Sequence, residues 1–269
     1  MTAFLNHTSF EFKTGIRNPS LMLMNYLFPL GFYAIMGLVM TQINPGFKDT
    51  LIPSLVIFSV MVSTVLGLPG PLVEAREAGI FRSFKINGVP AISILAIPAL
   101  TTVFHALIVS TIIALTGNIL FDGAVPVSWI NFALLTLLCA FTFGGLGMLI
   151  GVVSSSTRST VLWSQLIFLP SMLLGGLMVS LDFLPASVQP ISGLLPTTYA
   201  IQAIEGLAYM QPTVINPWVA VLVLAACGLL AVSLAIYLFS WDTHNSTRRG
   251  RPVLALLVLV PMIAAILLA

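Results

Sequence analysis

Charged residues are so sparse in this chain that they divide it into long uncharged runs: 18–47, 50–73, 86–121, 123–157, 159–181, 183–204, 206–241 and 252–269. A helix needs about 20 apolar residues to cross a bilayer, and a charge at its centre costs about 2.5–3.5 kcal/mol on insertion scales. Seven of these runs can each hold one span without burying a charge. The run 183–204 differs, because Pro185, Pro190 and Pro196 break it too often for a regular span. It reads as an interfacial or re-entrant segment, whose irregular backbone must be covered by protein or reach water. A soluble fold is excluded by the same scarcity, since 7% charged residues cannot cover a water-facing surface.

The pattern predicts an all-α integral membrane protein with spans at about 21–41, 51–71, 91–116, 129–153, 160–180 and 217–240. A seventh span is expected at about 252–269, the alternative being a surface helix or hairpin. With the N-terminus on the cytoplasmic side, the inner segments hold Lys13, Arg17, Arg76, Arg82, Lys85, Arg158, Arg248, Arg249 and Arg251, leaving only Lys48 outside. The reverse orientation contradicts the positive-inside rule. A net charge of +2 is too small to point to nucleic acid. The first apolar run is span-length and lacks a small-x-small cleavage pattern, so it reads as a span rather than a secretory signal. Cys139 and Cys227 both fall within predicted spans, where small apolar packing is the expected role.

Between the spans, three stretches carry polar information. Residues 4–18 place Leu5, Phe12 and Ile16 at helical spacing beside Glu11, Lys13 and Arg17, the pattern of a short amphipathic helix on the membrane surface, with an unstructured tail as the alternative. The loop EAREAGIFRSFKINGVP, from Glu74 to Pro90, sets Glu74, Glu77 and Lys85 on one helical face and Ile80, Phe81 and Phe84 on another. Its apolar stripe fits docking against a soluble partner, or else anchorage to the bilayer. After the fifth span, two short helices are expected at about 185–193 and 197–209, separated by Leu195-Pro196. Gly147 and Gly151 in the fourth span, like Gly175 and Gly176 in the fifth, read as close-packing positions.

Catalytic patterns are missing from the sequence. No Gly-Lys-Ser/Thr phosphate loop, no His-Glu-x-x-His and no Gly-x-Ser-x-Gly elbow occurs. The spans contain no carboxylate or base except His105, which reads as a packing or hydrogen-bonding residue. An ion-coupled secondary transporter or channel is therefore the second reading, since such proteins ordinarily place ionisable groups within the spans.

In order and position, these motifs resemble the membrane-domain subunit of type-2 ATP-binding-cassette exporters, a class that includes drug, antibiotic and polysaccharide exporters. FEFKTGIRNPSLM is similar to the family's surface connecting helix, EAREAGIFRSFKINGVP to its acidic-plus-glycine loop, and LPTTYAIQAIEGL to its Pro-x-Thr-Tyr-Ala segment. The resemblance covers about residues 8–245, so residues 1–245 form the transmembrane domain and 246–269 a basic turn plus the extra span. It implies a homodimer, or a pair with a paralogous permease, in the plasma membrane. That pair would be driven by two cytoplasmic ATPase subunits, and the partner rather than this chain would bind ATP and magnesium. It further implies ATPase coupling through Glu11, Lys13, Arg17, Glu74, Arg76, Glu77, Gly79, Arg82 and Lys85. Because the family's second and fifth spans border its cavity, Ser59, Ser63, Trp163 and Gln165 become candidate pathway residues for a hydrophobic or amphipathic substrate. Pro196, Thr197, Tyr199 and Glu205 belong to the outer re-entrant element. The fifth span's end, GGLMVSLDFLP, lacks the Phe-Phe-Pro-like run of many members.

Overall fold

Proline sets the local irregularities of the first two spans. The computed structural model describes residues 19–185, 187–242 and 250–268. Helix α1, Leu23–Ile43, begins with a π-helical turn over Leu23–Leu27, where the Phe28 N–H donates to the Leu23 carbonyl five residues back. Pro29 follows and has no N–H for the Asn25 carbonyl, so the wider turn absorbs the misfit. Helix α2, Phe47–Glu77, repeats the device: a π-helical stretch, Val62–Gly67, precedes Pro69 and Pro71. It is longer at both ends than the expected 51–71, so Glu74, Arg76 and Glu77 sit on its last turns rather than in a loop.

A short helix α3, Ile80–Ile86, follows Gly79, whose φ of +75° is the left-handed conformation that glycine adopts without penalty. Helix α4 spans Ala91–Phe121 and outruns the expected 91–116, ending at the left-handed Asp122. Helix α5, Trp129–Val153, coincides with its expected span; the Ser128 hydroxyl accepts from the Asn131 N–H at its start. Helix α6, Thr157–Leu174, opens on a Ser156/Ser159 capping box. It stops well short of the expected 180, since Gly176 adopts a φ of +86°.

Two short helices, α7 (Gln189–Ser192) and α8 (Pro196–Ala208), replace the expected 185–193 and 197–209. Helix α9 spans Pro217–Leu238 against an expected end at 240. The C-terminal segment is a 3₁₀ stretch, Pro252–Leu259, leading into α10, Val260–Leu268.

Every described element is helical, and five helices, α1, α2, α4, α5 and α9, are long and apolar enough to cross a membrane. Helix α6 falls outside that set because Arg158, Ser159, Ser164 and Gln165 dilute its 18 residues; its length is still about 27 Å at 1.5 Å per residue. Helix α2 is the axis of the bundle. In its apolar window 94% of residues are buried, against 28% for α1 and 39% for both α4 and α9. Glycine lets α5 lie directly on it: a Cβ on Gly147 would come within 2.1 Å of the Thr64 carbonyl, and one on Gly151 within 3.0 Å of Leu72. Helix α8 re-enters the bundle beside α2, α5, α6 and α9, with ten of its thirteen residues buried. Cys139 and Cys227 are both buried free thiols.

Candidate coupling and gating sites

At the end of the bundle where α2 runs out, the polar loop divides into two faces. Arg76 points inward. The residue is 4% exposed, and its guanidinium donates to the Val152 carbonyl at 3.0 Å and to the Ser154 carbonyl. The Val152 carbonyl lies in the last turn of α5 and Ser154 is the residue that caps it, where carbonyls lack intrahelical donors and the helix dipole favours a cation. One residue on, the Glu77 carboxylate accepts from the Thr157 hydroxyl at 3.3 Å, at the start of α6. The end of α2 is thus fastened to the α5–α6 turn.

Helix α3 is fastened to the exit of α9. Phe81 is buried, with its ring 5.7 Å from that of Phe239. Arg82 forms an ion pair with Asp242, and the Lys85 ammonium lies 6.0 Å over the Trp241 ring. Of the expected apolar stripe, Phe81 therefore faces the chain's own core, Phe84 is partly buried against it, and Ile80 is exposed. Glu74, Glu77, Arg82, Lys85 and Ile86 complete the exposed face. Gly79 makes the turn between the two helices. Glu11, Lys13 and Arg17, the surface-helix residues, lie outside the described residues.

The four pathway candidates are not brought together. Ser59 and Ser63 are wholly buried within the chain. Ser59 donates to the Val56 carbonyl at 2.8 Å and meets the Ser110 hydroxyl at 3.2 Å. Trp163 is 47% exposed on the far face of α6, and Gln165 is half-buried. The face of α6 turned inward carries Thr160, Ser164, Phe168 and Ser171 instead. Helix rotation decides this, and nothing in an almost uniformly apolar stretch announces it.

At the opposite end, where Lys48 pairs with Asp122 at 3.1 Å, the expected re-entrant residues are closely seated. Pro196 starts α8. Thr197 packs so tightly on Gly175 that a Cβ there would come within 2.0 Å of its hydroxyl. The Tyr199 hydroxyl donates to the Gly193 carbonyl at 2.8 Å, while the Thr198 hydroxyl donates to the Ser192 carbonyl at 2.7 Å. Two staples therefore fold α7 onto α8. Glu205 is half-buried and accepts from the Gln202 amide at 3.4 Å; Gln202 in turn accepts from the Ile215 N–H at 3.0 Å. Burial, with the Glu205 carboxylate adding to it, holds the Tyr209 phenol above the ordinary tyrosine range.

Several of these partnerships carry no signal in the sequence. His105 meets the Tyr26 hydroxyl through Nδ1 at 2.5 Å, in keeping with its expected hydrogen-bonding role. Asp242 and Trp241 partner residues about 160 positions away. Among the described residues, no group of three or more His, Cys, Asp or Glu could hold a metal ion.

Five helices among the described residues, long and apolar enough to cross a membrane and packed into one all-helical bundle, are the architecture of a multi-pass membrane protein. The ABC-2 type transporter family model matches residues 2–209, and the chain belongs to that family. No curated protein matches it. The chain is accordingly a permease, the transmembrane part of an ATP-binding-cassette transporter.

Proposed function

We propose that this permease works as an exporter driven by a separate cytoplasmic ATPase, as a dimer with itself or a paralogous permease, in the plasma membrane with its N-terminus inside. The observation that carries the reading is the two-faced loop at the end of α2. Its outer face offers Glu74, Glu77, Ile80, Lys85 and Ile86 to a partner. Its inner face grips α5 and the exit of α9 through Arg76 and Phe81, and at the exposed rim Glu77 reaches Thr157 of α6 and Arg82 reaches Asp242. A push on that loop is carried at once to three other helices, because packed interiors shift as rigid bodies rather than deform. The partner would bind ATP and magnesium. The apolar faces of the spans suit a hydrophobic or amphipathic substrate. By linkage, substrate that favours one conformation of the permease must also shift nucleotide binding by the partner.

The test is co-purification with an ATP-binding-cassette ATPase subunit from the same organism, comparing the native chain with Glu74→Ala/Glu77→Ala. Loss of complex and of transport-coupled ATP hydrolysis is the expected result. An unchanged complex with unchanged coupled hydrolysis removes the coupling role. One observation favours the ion-coupled alternative: His105, an ionisable group in the middle of α4, is buried inside the bundle against the Tyr26 hydroxyl. Uptake by ATP-free vesicles under an ion gradient alone would decide for that reading.

A further inference from the structure

Pro252–Leu268 lies beyond the family match, which stops at residue 209, yet it is pinned at both ends of the bundle. At the end that carries Arg76, a Cβ on Gly250 would sit 2.9 Å from the Leu238 side chain. At the opposite end, a Cβ on Gly193 would sit 2.9 Å from the Ile266 side chain. One turn before Ile266, the Met262 carbonyl is a second acceptor for the Tyr199 hydroxyl, at 3.4 Å. Met262 and Val258, four residues apart, turn inward at 1% and 9% exposure, and Val253, Leu256, Leu257, Val260, Ile263 and Leu267 face outward.

Length explains the unusual 3₁₀ stretch. Eight 3₁₀ residues rise about 16 Å and nine α residues about 13.5 Å, together about 30 Å, the thickness of the hydrocarbon core. An α-helix of the same 17 residues would reach only about 25 Å. The stretched first half thus lets a short segment touch both ends.

We propose that Pro252–Leu268 is a membrane-crossing strap that holds the re-entrant pair α7–α8 shut, through Ile266 against Gly193 and the Met262 carbonyl against the Tyr199 hydroxyl. The proposal rests on the permease reading above, and it takes α7–α8, which packs against α2, α5, α6 and α9, as the element that closes the bundle at that end. Tyr199 and Ile266 act here as positioning residues. The same Tyr199 hydroxyl that staples α7 to α8 also ties both to the strap, so the pair cannot move away alone. Since the strap's other end abuts Leu238, just before the Phe239–Asp242 exit held by α3, a movement of the polar loop reaches the closure along this second route.

The test uses the full chain with a reporter, Ser192→Cys, at a position 3% exposed. Cys139 and Cys227, each 1% exposed, stay silent. Labelling by an impermeant maleimide, applied to both faces of proteoliposomes, is compared for the intact strap, for Met262→Ala/Ile266→Ala, which leaves the Tyr199–Gly193 staple in place, and for deletion of residues 252–269. We expect labelling in the double variant to accelerate about tenfold, the factor for losing roughly 1.4 kcal/mol of packing between the strap and α7–α8, and in the deletion by more. Rates within about twofold of the intact chain in the double variant overturn the proposal, including where the deletion fails to insert. No ATPase or substrate is needed. Acceleration therefore supports the strap even if no ATPase binds, and unchanged labelling sinks it even if transport proves ATP-driven.

Discussion

Replacing Gly147 by alanine puts a methyl group where the backbone of α2 already lies. The new Cβ would stand 2.1 Å from the Thr64 carbonyl oxygen and 3.0 Å from its carbon. Thr64 belongs to the π-helical stretch of α2, the most buried helix in the bundle, so its carbonyl cannot swing aside as a side chain would. Relief requires α5 and α2 to part by about 1 Å along their contact, and overpacking of this kind costs about 3 kcal/mol, the upper end of its usual range. Alanine in a helix recovers about 1 kcal/mol relative to glycine. The net expectation is a loss of about 2 kcal/mol, or about 4–8 °C in Tm for a chain of this size. Gly31→Ala is the control: it is also helical, and nothing stands within 4 Å of its Cβ position. That variant should hold or slightly raise Tm. The assay is thermal unfolding of both purified variants in one detergent. A Gly147→Ala protein as stable as the native chain would refute the seating of α5 on the Thr64 carbonyl.

Three further outcomes follow from the geometry. Arg76→Lys keeps the charge but cannot fork to both the Val152 and Ser154 carbonyls; a loss of about 1.5–3 kcal/mol is expected in the same thermal assay. In a double-mutant cycle, Tyr26→Phe and His105→Phe should show a coupling of about 0.6 kcal/mol, the usual value for such a bond in a membrane protein; additive losses would deny the bond. At the base of α3, Arg82→Ala should cost less than about 1 kcal/mol, because the guanidinium is largely exposed. Phe81→Ala, which empties a buried ring site, should cost about 3–5 kcal/mol. Reversal of that order in unfolding measurements would mean that charge, not packing, fastens the loop.

Some of the site is legible in the order of the residues alone. The break between Gln189–Ser192 and Pro196–Ala208 is readable because Leu195-Pro196 stops a helix in any context. The exposed face of the polar loop is readable for a similar reason, since Glu74, Glu77 and Lys85 seek water. Arg76, alike in composition, is buried because carbonyls 76 and 78 residues away need donors. The apolar stripe around Phe81 is shaped to meet a partner or the bilayer, and Phe81 instead meets Phe239. The fifth span ends earlier than its apolar run because Gly175 and Gly176 serve a crossing with Thr197 and Ile201 that only the folded chain creates.

The sequence by itself determined where this chain can cross a bilayer and where it cannot. Exclusion of charge from hydrocarbon acts on each stretch separately, so a one-dimensional pattern suffices. Only the tertiary structure decided which face each helix turns to its neighbours. Lipid and protein interior are equally apolar, so little in the pattern orients a span about its own axis. Close contacts settle that instead: Gly147 on the Thr64 carbonyl, Arg76 on the end of α5, and Ile266 on Gly193. Ser59 and Ser63 were placed inside and Trp163 outside by those contacts, and the strap joined the two ends of the bundle through residues more than sixty positions apart.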